Sequence, residues 1–456
     1  MGLYVTYLMA ILGTSMGWLM PFIGLMVYYW FAILRPPFLW FWSFPNKWDV
    51  PRFSLYIGAS TLIGWAIQGF GSLQGLRGTH IALFGLVIYI LTGLFGWQVL
   101  AVDPNRAWDL LDTQIKIIVM VIATLTLVRD ARSIRIFIWV IVVSLGYLGK
   151  VLNDWYFISP MYLHNNGFGG IDNNGVGMIM VMSVPLSFFM AVYDKRLWVR
   201  LLTVMAVVYQ VHVILFSYSR GSQLGLCMVG AMIFLFAIFQ LPRKLLTVGL
   251  AVVFVAITLY LAGEGVRQRF MSIFAEERDA SAESRFTTWS AAWHCMQEHP
   301  MGVGPRNFGF YAERYGLTHG KAVHNLYLQT GADYGVIGMF ALIAFYGGTL
   351  VSTFFMSRTD VAKALGWPRY IGLGVCTSIA GFMLCSIFIG MESVEVGYVI
   401  CAVGLTTVAH VNRVRDASPA GYGLGLPELV EVPEPGETIE DIERERRNAG
   451  FRPVLG

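Results

Sequence analysis

The chain has 456 residues, of which 56% are hydrophobic and 13% charged, and its formal net charge is +4. The charged share is about half that of a soluble domain, which excludes an ordinary cytosolic enzyme and puts the protein in a bilayer. Of five cysteines, Cys227, Cys376, Cys385 and Cys401 lie within apolar runs and only Cys295 in a polar stretch. The spacing therefore offers neither a disulfide framework there nor a Cys/His metal site.

In chain order, the first apolar run, near 3–34, is too long for one upright helix, and Pro21 near its middle predicts a kink or two short helices. It lacks a basic n-region and a cleavage site, so it is expected to be a retained helix and not a signal peptide. Further runs follow near 53–70, 81–102, 114–128, 134–152, 176–193, 199–216, 223–240, 245–263, 325–355, 370–389 and 396–411. The expectation is an all-α polytopic membrane protein with about a dozen spans.

Basic residues cluster in alternate loops: Arg129, Arg132 and Arg135; Lys195, Arg196 and Arg200; Arg243 and Lys244; Arg358, Lys363 and Arg369. Between them, 153–175 and 390–395 carry no lysine or arginine and 217–222 only Arg220. The positive-inside rule makes the basic loops cytoplasmic and turns 153–175, 217–222 and 264–324 outward together. Residues 1–411 are read as one transmembrane domain that includes the 264–324 loop. Residues 412–456, rich in Pro, Gly and Glu, are read as a cytoplasmic tail, disordered or weakly helical near its end.

The stretch Gly263–His324 holds four of the eight histidines (His294, His299, His319, His324), seven lysines and arginines, and many aromatics including Trp289 and Trp293. Long irregular connections are usually functional or disordered, and the aromatic content argues for the first, with a partly helical fold. Chemistry on the outward side has four candidate segments. In Ser217-Tyr218-Ser219-Arg220-Gly221-Ser222, Arg220 is either an interfacial anchor or a fixed cation for a lipid-linked phosphate. The turn's backbone amides could assist the second role. In Glu283-Ser284-Arg285 to Trp293, Ser284 could cap a helix on which Arg285, Trp289 and Trp293 share a face. That face fits a helix lying on the membrane surface, and spacing leaves open whether Arg285 points to headgroups or into a cavity.

The third segment, Gly302-Val303-Gly304-Pro305-Arg306-Asn307-Phe308, reads as a bend presenting an arginine and not as a nucleotide fingerprint. The fourth, His324-Asn325-Leu326-Tyr327-Leu328-Gln329, opens the next span. A histidine there can be an ordinary interfacial hydrogen bonder, or a proton acceptor near neutral pH. The loop 165–175, rich in Asn and Gly, reads by default as a flexible turn, with amides that can also meet sugar hydroxyls. Glu392 and Glu395, in the last outward loop, could balance the arginines.

Ser-Arg-Gly after one span, Ser-Arg-x-x-x-Trp in the large outward loop and His-Asn-x-x-Leu opening the next span resemble the O-antigen ligase and polymerase superfamily, polytopic GT-C type glycosyltransferases. The resemblance is strongest over 160–355. Leu34-Arg35-Pro36-Pro37 and Asn173-Asn174 look like the exosortase-associated O-glycosylation ligase branch. The resemblance implies a glycan donor on undecaprenyl diphosphate, chemistry at the outer leaflet of a bacterial inner membrane facing the periplasm, and no required metal or cofactor. It implies that Arg220 and Arg285 hold the diphosphate and that His324 activates the acceptor hydroxyl. Arg306, Asn325, Arg267 and Arg269 are possible supporting residues. The family often has an acidic residue soon after the histidine motif, whereas here Asp333 comes later.

The expected acceptor is a glycolipid, a growing glycan or a protein hydroxyl, corresponding to ligase, polymerase or protein O-oligosaccharyltransferase, with the ligase preferred. Membrane lipids are the other expected partners, and nucleic acid is not. A transporter or flippase would place ionisable groups near the bilayer midplane and show repeats of its halves. The spans here are nearly free of charge and the polar groups gather at one face, which favours interfacial chemistry. A purely structural scaffold would leave the aligned arginines and His324 unexplained.

Overall fold

The computed structural model describes residues 2–44, 51–240, 245, 248, 249, 252, 253, 256, 260, 263–271, 280–318 and 321–417, with the side chains of 269 and 280–282 outside that description. Among the described residues the chain is helical, apart from loops and one isolated bridge between Phe168 and Ile171. Ten of these helices are long and apolar enough to cross a membrane, and two more apolar ones are shorter. The all-α polytopic expectation holds. Most of the expected 245–263 span, His319 and residues 418–456 of the tail fall outside the described residues.

The first run divides as Pro21 predicts, into α1 (Gly2–Gly17) and α2 (Pro21–Leu34), followed by a single turn, α3 (Pro36–Leu39). Next, α4 (Phe53–Ile67) packs on both long helices. Small residues permit this: a side chain at Gly64 would stand 2.4 Å from the Gly17 carbonyl oxygen. Then come α5 (His80–Phe95), α6 (Pro104–Leu127), α7 (Ala131–Ile158), the short α8 (Tyr162–Asn166), α9 (Asn173–Tyr193), α10 (Leu197–Phe216) and α11 (Arg220–Phe239). Two helices of the 264–324 loop follow, α12 (Glu264–Met271) and α13 (Ala280–Glu298), then one turn, α14 (Phe308–Tyr311). The C-terminal group is α15 (Leu326–Arg358), α16 (Asp360–Leu365), α17 (Trp367–Cys385) and α18 (Glu395–Ala417). Residues 1–412 form one compact unit, and 413–417 carry the helical end of α18 into a second, 413–456.

At the centre, α9 is apolar on every side and buried from Gly175 to Val192, as a helix with no solvent or lipid face must be. It packs against α7, α10, α11 and α17. Its N-terminal end is tied to the next hairpin: Asn173 Nδ2 donates to the Ser217 carbonyl at 2.7 Å, and Ser222 Oγ to the Asn174 carbonyl at 3.2 Å. On the same side, the Leu326 N–H donates to the Ser386 carbonyl at 2.8 Å. At the opposite ends of these helices, beside the basic loops, the Tyr193 and Tyr370 rings meet with centroids 5.4 Å apart.

The run 325–355 reads in sequence as one span, but α15 is broken at Gly335 (φ 80°, ψ 175°). The loop before it fills the break with its own backbone. Val303 N–H donates to the Ala332 carbonyl at 3.0 Å, Gly304 N–H to Asp333 at 2.9 Å, and Val336 N–H to Pro300 at 2.9 Å. Irregular backbone beside a membrane persists only where protein satisfies its polar groups, and these three bonds do so. The stretch 326–334 thus stands apart from the spanning part of its helix.

Candidate active site

Five non-glycine residues have positive φ among those described: Arg35 (44°), Phe70 (61°), Tyr218 (53°), Arg306 (57°) and His324 (52°). All but Phe70 belong to one end of the bundle, that of the 264–324 loop, Arg35 through the hydrogen bond of its Nη1 to the Gly169 carbonyl. Left-handed backbone is unfavourable for residues with a Cβ, and such outliers gather where function holds them.

Arg220 is the first residue of α11, half-buried, directly after Ser219, whose hydroxyl caps the helix by accepting the Ser222 N–H at 3.3 Å. Ser217, Ser219 and Ser222 are all buried and spent on local bonds, so the serines shape the turn. Arg220 stands at a helix N-terminus, where unsatisfied N–H groups and the helix dipole favour an anion. A side chain at neighbouring Gly221 would stand 3.0 Å from Cβ of Phe388.

Phe388 packs between the segments that carry Arg220 and Arg285. The Trp289 ring, one turn beyond Arg285, lies 6.1 Å from its ring. Two residues after it, Gly390 abuts the His324 backbone: a side chain there would stand 3.7 Å from the His324 Cα. Meanwhile α13 is docked onto the residue before the histidine. Thr288 Oγ1 and Trp289 Nε1 both donate to the Val323 carbonyl, at 3.2 and 3.1 Å. Trp289 therefore faces the protein, while Trp293 is 49% exposed. Their expected common face divides, because buried Thr288, Ala291, Ala292 and Cys295 form the packed side. Ser284 does not cap this helix, which starts at Ala280.

His324 is exposed on its strained backbone, and Asn325 caps α15 by accepting the Leu328 N–H at 3.0 Å. Crowding by the surrounding protein, then the Arg285 guanidinium, hold the His324 pKa below its ordinary value; Asp172 opposes this, and Lys321 adds to it. The imidazole is thus neutral at pH 7 and able to accept a proton. Asp172, whose carboxylate caps α9 by accepting the Gly175 N–H at 2.8 Å, had no assigned role in the sequence. An acidic residue just before Asn173-Asn174 was the only signal.

The supporting candidates divide. Asn325 is structural in its cap. Arg267 is exposed on α12, whose Val266 is buried and whose Gly265 approaches the Tyr218 ring. The Arg269 side chain lies outside the described residues. Arg306 is exposed at a second corner, facing Glu392. Beneath it, buried Asp333 holds the 302–308 bend, accepting the Phe308 N–H at 2.9 Å and Gln329 Nε2 at 2.6 Å. The later position of this acid in the sequence thus has a structural reason: it binds the bend. Burial and then Asp333 push the Glu392 carboxyl upward, with Arg306 opposing.

A search of curated proteins finds no match to the chain. Residues 205–343 match the family described as O-antigen ligase, a stretch that contains Arg220, Arg285 and His324. That match, with the helical membrane fold, supports placing the chain in the O-antigen ligase/polymerase superfamily, with a glycosyltransferase-like function of ligase or polymerase type.

Proposed function

We propose that the protein is an inverting, metal-independent glycosyltransferase that moves a glycan from undecaprenyl diphosphate to an acceptor hydroxyl, with ligase-type transfer to a glycolipid as the favoured outcome. The proposed setting is the periplasmic face of a bacterial inner membrane. The observation that supports this reading is that the segments carrying Arg220, Arg285 and His324 pack together through Gly221, Trp289, Phe388 and Gly390.

In the proposed step the acceptor oxygen attacks the anomeric carbon and its proton passes to neutral His324. The bond from that carbon to the diphosphate oxygen breaks, and the leaving diphosphate keeps the electron pair. Arg220 and Arg285 neutralise its charge with planar forks that match phosphate oxygens. The α11 N-terminus adds a fixed positive end. At a partly dehydrated surface such preorganised charges act more strongly than in water. One displacement inverts the anomeric configuration.

The test is transfer by the purified protein from a lipid-linked glycan to candidate acceptors, comparing wild type with His324→Ala. The expected result is inverted product from the wild type and a loss of about a hundredfold or more in the variant. Near-normal transfer by the variant removes the base. With lipid-linked repeats as the sole acceptor, a ladder of products would make the enzyme a polymerase.

A further inference from the structure

The last outward loop carries a carboxyl group that the proposed displacement does not use. Glu392 lies two residues beyond Gly390, the glycine that abuts the His324 backbone. Its backbone is fixed: the carbonyl accepts from Gln114 Nε2 at 3.4 Å. That amide is locked between two buried tyrosines, donating to Tyr89 Oη at 2.8 Å and accepting from Tyr334 Oη at 2.6 Å. The side chain is not satisfied in the same way. Glu392 Oε1 is buried and has no hydrogen-bond partner among the described residues.

A buried polar atom without a partner is destabilising, so a purely structural Glu392 is a poor solution to packing. Asp333 beside it is already engaged at both oxygens. Arg306 faces the carboxyl from a strained backbone position. The ligand that fits this pair is not a cation, which Arg306 repels, and a single guanidinium beside a carboxyl held toward its neutral form makes no multi-cation site for an anion. A neutral polyol fits: one hydroxyl pairs with the carboxyl oxygen and an adjacent sugar oxygen accepts from the guanidinium.

We propose that Glu392 and Arg306 form a sugar-binding subsite beside His324, in which the buried Glu392 oxygen is completed by a hydroxyl of the glycan. This rests on the glycosyl-transfer reading and makes Glu392 a specificity-determining contact. The sugar can belong to the donor or to the acceptor, and kinetics separates the two.

The experiment uses the full chain in nanodiscs, with Glu392→Ala and Glu392→Gln measured against varied lipid-linked donor and varied acceptor. The expected result is a rise in KM of about tenfold for one substrate with Ala, a smaller rise with Gln, which still accepts one hydrogen bond, and kcat changed far less. A rise confined to the donor or to the acceptor names the sugar's source, and either supports the subsite. Unchanged KM for both substrates overturns it, whether or not the melting temperature falls. Gln, nearly isosteric, covers the case in which Ala does not fold. Binding of lipid-free oligosaccharide to wild type and Glu392→Gln is read separately from turnover. Weaker binding by the variant supports the subsite even where wild type transfers nothing and the transferase reading fails, and equal or absent binding overturns it.

Discussion

Gly335→Ala tests how the 264–324 loop and the helical bundle are joined. Gly335 has φ 80° and ψ 175°, a region only glycine populates readily, and forcing alanine there adds roughly 1–3 kcal/mol of strain. The new methyl would stand 2.5 Å from the Met301 carbonyl carbon and 2.6 Å from the Pro300 oxygen. Both are backbone atoms, so relief requires moving the loop, at roughly 1–3 kcal/mol more. The expected total, about 2–6 kcal/mol, is a large part of a typical stability of about 5–15 kcal/mol. Gly347, in the same helix, is the control: a methyl there meets nothing within 4 Å, so alanine should stabilise by about 0.5–1 kcal/mol. Thermal unfolding of both variants in one detergent reads the difference. A Gly335→Ala protein within about 0.5 kcal/mol of wild type would refute the backbone joint.

Because neutral His324 is the proposed base, activity is full above its pKa and lost as pH falls through it. Arg285 lowers that pKa and Asp172 raises it, so Arg285→Gln should move the acid limb of kcat/KM to higher pH and Asp172→Asn to lower pH. Shifts in the same direction, or none, would exclude this control. Arg220→Lys and Arg285→Lys should each lower turnover about tenfold or more, because a point charge cannot replace a bidentate fork; full activity in both would remove the clamp. Trp289→Phe takes one of the two donors from the Val323 carbonyl and should destabilise by about 1 kcal/mol. Combined with Thr288→Val it should lower transfer more than either change alone, measured at a temperature where both proteins stay folded.

Periodicity and hydropathy made the spans legible, since bilayer thickness fixes their length and Pro21 marks the first division. Arg220, Arg285 and His324 were legible because each sits in a short polar motif at a membrane boundary. Their meeting point was not: Phe388 and Gly390 are ordinary residues in an apolar stretch, and only tertiary packing sets them against Gly221, Trp289 and His324. The break at Gly335 was hidden as well. Glycine is frequent in this chain, and nothing local distinguishes one that accepts a foreign backbone from one that merely packs closely. Asp333 and Glu392 were visible as acids, but their separate tasks depend on which backbone amides reach them.

The left-handed residues bear on how this protein can be engineered. At Arg306 and His324 a glycine would relax the backbone by about 1–2 kcal/mol each. A screen for thermostability alone would therefore favour removal of the proposed base and of the subsite arginine. His324→Gly should melt no lower than wild type and transfer nothing. Any stabilised version of the enzyme has to be selected by turnover, or these positions have to be held fixed while the rest of the chain is varied.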